Sequence, residues 1–240
     1  MEENMDRYEK EVILDRPLSM AKNFVANVFS WMFLGLVITG VVSWFGASTG
    51  IFAEYFMSET GPNILGWCIM LAPLVFIIAM NAGLQKFSAG TLVVLFIAFA
   101  AIMGLSLSWI FYAFSLGSIV TIFFVSAAIF GLMAVVGYTT NQDLTKFGSL
   151  MFMGLIGIII ASVINWFIGS AMMDYIISII GVLVFVGLTA YDTQKIKRIG
   201  AGVEYGSQEA KKLAILGATS LYLDFINLFL FLLRLFGSRD

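Results

Sequence analysis

The chain has 240 residues, 60% hydrophobic and only 12% charged, with a net charge of −2 and a mean hydropathy of +0.98. Soluble domains carry about 25% charged residues, so this composition reads as one integral membrane bundle, with no electrostatic footprint for nucleic acid. There is no His and a single Cys, which removes Ser–His nucleophiles, HExxH zinc sites, His-ligated haem and any internal disulfide; Cys68 reads as a buried packing residue.

Residues 1–21 form a polar N-terminal tail, with Glu2, Glu3, Asp6, Glu9, Glu11 and Asp15 set against Arg7, Lys10 and Arg16. The apolar run that follows is too long for a signal-peptide h-region, so no cleavable signal is read. The tail is expected as a flexible cytoplasmic arm or a short surface helix. Residues 22–236 are the membrane domain, and 237–240 a short C-terminal tail.

Charge-free runs mark the spans. Asn23–Ala53 holds a first helix over about Asn23–Phe45. Gly61–Gln85 is a second, starting at Gly61-Pro62, since Pro is tolerated in the first helical turn. Pro73 lies inside it and predicts a kink. Phe87–Gln142 is 56 residues without a charge, too long for one span and right for two. The break at Ser115-Leu116-Gly117-Ser118 divides it into a third helix, about Gly90–Phe114, and a fourth, about Ile119–Thr139. The fifth is about Phe147–Ile168, the sixth Met172–Tyr191 and the seventh Leu213–Phe236. The fold class is therefore an all-α membrane protein with seven transmembrane helices.

Orientation follows from the basic residues. Alternate loops and the N-terminal segment hold 11 of the 13 Lys and Arg, and only Arg234 and Arg239 fall on the other side. The positive-inside rule then puts the N-terminus in the cytoplasm and the C-terminus outside.

Most acidic residues lie in the tail, in loops or at span ends. Two do not. Asp224 sits near the middle of the seventh helix, where a carboxylate costs about 2.5–3.5 kcal/mol on insertion scales. A helix that carries it should be wrapped by others. Asp192 sits at the cytoplasmic end of the sixth. On the seventh helix Ser220 and Asn227 flank Asp224 at i−4 and i+3, and on the sixth Thr189 and Lys195 flank Asp192 at i−3 and i+3. Two carboxyls together in low dielectric cannot both ionise cheaply, so such a pair shares a proton. It can activate water, as in an intramembrane aspartyl protease, or serve as a pH-sensitive gate or cation site. Asp192 can also be a solvated residue paired with Lys195.

The segments Tyr191-Asp192-Thr193-Gln194, Leu221-Tyr222-Leu223-Asp224-Phe225-Ile226-Asn227-Leu228-Phe229 and the turn Met103-Gly104-Leu105-Ser106 resemble the transmembrane Bax inhibitor motif family. The resemblance covers about Ala21 to Phe236. It implies seven helices with the C-terminal helix central in the bundle. It also implies a calcium leak across the membrane, with Asp192 and Asp224 as pH sensor, ion pathway and Ca²⁺ contact. In a related bacterial channel a second-helix Arg engages the pair; here the second helix offers Asn81, with Lys86 beyond it. Asn227, Ser220, Thr189, Tyr191 and Asn81 are the expected supporting polar residues.

The leading reading is thus a pH-regulated, calcium-permeable leak channel and not an enzyme. The lipid bilayer, Ca²⁺ and H⁺ are its partners, Ca²⁺ is the permeant ion, and no cofactor is expected. The absence of a lysine-rich C-terminal tail favours a bacterial inner membrane. The alternative is a non-conducting modulator that binds another membrane protein, such as a protease or channel. An aspartyl protease fits worse. Tyr191-Asp192 mimics one protease motif, but Asp224 follows Tyr222-Leu223 rather than Gly-x-Gly, and Pro occurs only at 17, 62 and 73.

Overall fold

A computed structural model describes the backbone of residues 2–59 and 61–238, with side chains from Met20 onward. It is helical almost throughout: α1 (Glu2–Ser48), α2 (Ile51–Phe56), α3 (Ile64–Ala82), α4 (Ala89–Leu107), α5 (Ile110–Ala113), α6 (Leu116–Thr139), α7 (Thr145–Ile168), α8 (Ala171–Gly202) and α9 (Gln208–Phe236). Among the described residues seven helical stretches are long and apolar enough to cross a membrane. They are Met20–Ser48, α3, Ala89–Ala113, α6, α7, α8 and α9. The tail is continuous with the first span, since α1 is helical from Glu2.

The helix starts are set by local capping. Ser88, Ser115, Ser170 and Ser207 each accept a backbone N–H from three residues on, which satisfies one of the orphan donors at the start of α4, α6, α8 and α9. Asn63 does the same for α3 through the N–H of Gly66. That cap moves the start of the second span past Gly61-Pro62, which instead pairs with Met57-Ser58 in a minimal antiparallel hairpin, β1 (Met57–Ser58) and β2 (Gly61–Pro62). α3 continues as helix through Pro73. The segment Met103–Ser106 is not a turn: it is the last part of α4, and the chain turns only at Ser108 and Trp109.

The largest departures from the sequence reading are in the last two spans. α8 does not stop near Tyr191 but runs on to Gly202, and α9 begins at Gln208 rather than Leu213. Thr189, Thr193, Ile196 and Gly200 are all buried. Their three- and four-residue spacing keeps one face of the extension against the bundle.

α9 packs against α8, α1, α6, α4 and α3. In its most apolar stretch 67% of residues are buried, against 11–44% for the other six spans. α7 is the most peripheral and rests mainly on α8. Close crossings use glycine. A Cβ on Gly104 would stand 2.6 Å from the Thr39 carbonyl oxygen, and one on Gly137 would overlap the Ala190 carbonyl oxygen. Such contacts let dispersion hold helices together where lipid is as apolar as their side chains. Cys68 is exposed rather than buried, because it lies on the outward side of α3, where most residues face away from the bundle.

Candidate functional site

Asp224 sits on α9 among its most buried residues and is only 5% exposed. Its Oδ2 has no hydrogen-bond partner; it is the one buried side-chain polar atom in that condition among the described residues. An unpartnered buried carboxyl is expensive to keep, and more so at bilayer depth. Two residues earlier on the same helix the chemistry is the reverse. Tyr222 is fully buried, and its hydroxyl is 2.7 Å from Thr39 Oγ1. Thr39 in turn donates to the Ala100 carbonyl at 2.9 Å. The Tyr222 O–H therefore donates to Thr39, and the chain of bonds ties α9, α1 and α4 together.

Asp224 faces a cavity of about 990 Å³ whose walls come from α3, α7, α8 and α9. Asp192, Lys195, Tyr191, Ser220 and Asn227 also line it. The structure thus brings the two aspartates to one space, within coulombic range of each other. Lys195, less than a turn beyond Asp192, acts electrostatically on the Asp192 carboxyl. A smaller cavity of about 220 Å³ is lined by Asn81, Asp192, Lys195 and Ser220, so Asp192 and its neighbours border both. Asn81 donates to the Ile77 carbonyl and Asn227 to the Leu223 carbonyl, each one turn back on its own helix. The Asn227 Oδ1 and the Ser220 hydroxyl have no partner among the described residues. Thr189 is elsewhere: fully buried, it donates to the Phe185 carbonyl and does not reach either cavity.

Two turns beyond the lining residues Leu74 and Ile159, α3 and α7 meet through an aromatic pair. Trp67 of α3 and Trp166 of α7 meet with ring centroids 5.8 Å apart. Leu74 of α3 and Phe152, Met153 and Ile159 of α7 line the space while remaining 54–60% exposed. The wall is therefore open sideways, at the depth of the apolar span. These α7 residues were not singled out by sequence, since nothing in an apolar run marks which side chains border a cavity.

The extension of α8 beyond Asp192 is held by a separate polar clamp on the α6–α7 connection. Gln194 accepts the Leu144 N–H at 2.9 Å and donates to the Gln142 carbonyl at 2.7 Å. Lys197 donates to the Tyr138 carbonyl at 2.7 Å and lies over the Tyr138 ring. Arg198 reaches Asp143 at 2.7 Å. The Thr145 hydroxyl first, and the Arg198 guanidinium second, hold the Asp143 carboxyl well below the usual carboxylate range. The clamp fixes the segment that carries Asp192 to α6 and α7.

As a cation site the pair is sparse. Among the described residues no group of three or more His, Cys, Asp or Glu could hold a metal ion. Ca²⁺ takes about 6–8 oxygens when firmly bound. Two carboxyls with Ser220 and Asn227 suit brief contact with a passing ion better than storage.

Residues 21–240 match the family model described as inhibitor of apoptosis-promoting Bax1. The chain is 42% identical over 236 residues to the inner membrane protein YbhL of Escherichia coli (strain K12), covering 98% of this chain and 100% of the relative. It is 38% identical over 231 residues to a protein of Borreliella burgdorferi, covering 96% of both chains. It is 40% identical over 221 residues to the protein RP147 of Rickettsia prowazekii, covering 91% of this chain and 90% of the relative.

Proposed function

The chain belongs to the Bax inhibitor family, and from that premise we propose that it is a pH-regulated, calcium-permeable leak channel of a bacterial inner membrane. The observation that carries the reading is Asp224: a buried carboxyl with an unpartnered oxygen, facing the same cavity as Asp192. The membrane assignment draws on the seven apolar spans and on the inner-membrane relative. The orientation draws on the basic-residue asymmetry and has the N-terminus in the cytoplasm. C-terminal reporter fusions truncated after Gly169 and placed after Asp240 should then read outside, and one truncated after Gly206 inside.

The mechanism follows from charge. With one proton shared, the two carboxyls attract, and α8 and α9 are drawn together across the cavity. With both ionised, repulsion separates them and leaves two anionic oxygen ligands facing the path, the hard donors that Ca²⁺ prefers. Ca²⁺ and protons then compete for the same oxygens. The pair acts in gating and conduction, and no bond of a substrate is broken.

Purified protein reconstituted alone into liposomes tests the reading. Ca²⁺ uptake above that of protein-free liposomes is the expected result. No uptake at any pH would favour a non-conducting modulator that needs a second membrane protein.

A further inference from the structure

The cavity that holds Asp224 has two halves of different chemistry. One end carries Asp192, Asp224 and Lys195 with the Ser220 hydroxyl and the Asn227 amide oxygen. The remainder is largely apolar, and within it Leu74 of α3 and Phe152, Met153 and Ile159 of α7 stay more than half exposed, and so accessible sideways from lipid. The volume of about 990 Å³ lies at the top of the range of about 300–1,000 Å³ typical of small-molecule sites. Simple inorganic cations would use only the polar end. A ligand that matches both ends needs one positive, hydrogen-bond-donating head and an apolar tail.

We propose that this cavity binds an amphipathic amine, a protonated primary amine on a single alkyl chain, which enters from the bilayer between α3 and α7. The ammonium donates to the Asp224 carboxyl, whose Oδ2 is otherwise unpartnered, and to Asp192. Its three N–H donors can also reach the Ser220 and Asn227 oxygens. The alkyl chain lies along Leu74, Phe152 and Ile159 toward the Trp67–Trp166 pair, whose rings meet 5.8 Å apart two turns beyond Leu74 and Ile159. Among the described residues Lys195 is the only cation in the lining, so the polar end keeps an excess of one carboxylate when both aspartates are ionised. Two carboxyls are few for a tightly held divalent ion, yet sufficient for one ammonium. The ligand would occupy the space assigned above to the ion path, but its binding does not require that ions pass.

The test uses the full chain in phosphatidylcholine nanodiscs, titrated with dodecylamine brominated at its terminal carbon. Tryptophan quenching is the readout, and the matching brominated alcohol is the control. The expected result is saturable quenching by the amine, with the alcohol giving only the shallow, non-saturating quenching of membrane partition. Asp224→Asn should weaken amine binding at least tenfold. Leu74→Trp, at an exposed position on the cavity mouth, should weaken it as much while leaving both carboxyls in place. Trp67→Phe with Trp166→Phe should remove most of the saturable quenching. Equal quenching by amine and alcohol, or binding unaffected by Asp224→Asn and by Leu74→Trp, would overturn the proposal. Because binding is read directly, an absence of Ca²⁺ flux leaves this result unaffected.

Discussion

Two faces of α9, two residues apart, treat a polar group in opposite ways. Tyr222 gives its hydroxyl to Thr39, Thr39 gives its own to the Ala100 carbonyl, and the Tyr222 ring lies edge-on to Phe96 and Phe99 with centroids 6.5 and 5.2 Å away. Asp224 has a buried oxygen with no partner and a large cavity beside it. A buried polar group that is fully paired fixes the helices around it, whereas one left unpaired costs free energy at no structural gain. The first face holds α1, α4 and α9 together. The second is held in place by the rest of the fold, which leaves it available for the proton and ion role proposed above.

The largest effect should come from breaking the paired face. Tyr222→Ala removes a fully buried ring and is expected to lower stability by about 3–5 kcal/mol, read by thermal unfolding in detergent. Tyr222→Phe keeps the ring and leaves the Thr39–Ala100 bond intact, so it should cost only about 0.5–1.5 kcal/mol. A larger loss from Phe than from Ala would contradict the division between ring packing and hydrogen bond.

The opposite face should respond with the opposite sign. Asp224→Leu replaces an orphaned carboxyl by a side chain of similar size, and stability should stay level or rise by up to about 1–3 kcal/mol. A strong destabilisation by Leu would mean that the carboxyl is a structural hydrogen bonder after all. Activity should fall in the same variant, which separates function from folding.

The smallest effect is expected at the α8 clamp's exposed end. Arg198→Ala should leave thermal unfolding within error of wild type, because the Arg198–Asp143 pair is exposed and solvent-screened. Asp143 also supplies a sign check on pH. Its folded-state carboxyl is held below its unfolded range, so its contribution is present above that range and is lost only as pH falls through the lowered folded value. It is constant from about pH 6 to 8 and cannot produce a pH response there.

The spans were legible because 18 or more apolar residues can do little else. Their polar ends were not. α8 runs past Asp192 into Gln194, Lys195, Lys197 and Arg198, where hydropathy falls although the helical spacing of Thr189, Thr193, Ile196 and Gly200 continues. That four-residue stripe was the available signal. The hairpin of Met57–Ser58 and Gly61–Pro62 lies in the connection before α3, where the Asn63 side chain rather than Pro62 sets the start of that helix. The acidic residues stood out by their rarity in apolar sequence. That they border one cavity, and that α7 and α3 wall it, depends on helix packing that a single sequence does not encode locally. Thr189 illustrates the limit: its spacing from Asp192 is right for a partner, but its hydroxyl turns back to Phe185 on its own helix.

The paired-aspartate gate is tested most directly by Ca²⁺ uptake into proteoliposomes between about pH 6 and 8, for wild type, Asp192→Asn and Asp224→Asn at matched protein density. Wild-type flux should fall on acidification, as a shared proton draws the two carboxyls together, and each Asn variant should flatten that response by removing the like-charged partner. The same pH dependence in all three proteins would contradict the account and return Asp192 and Asp224 to structural roles.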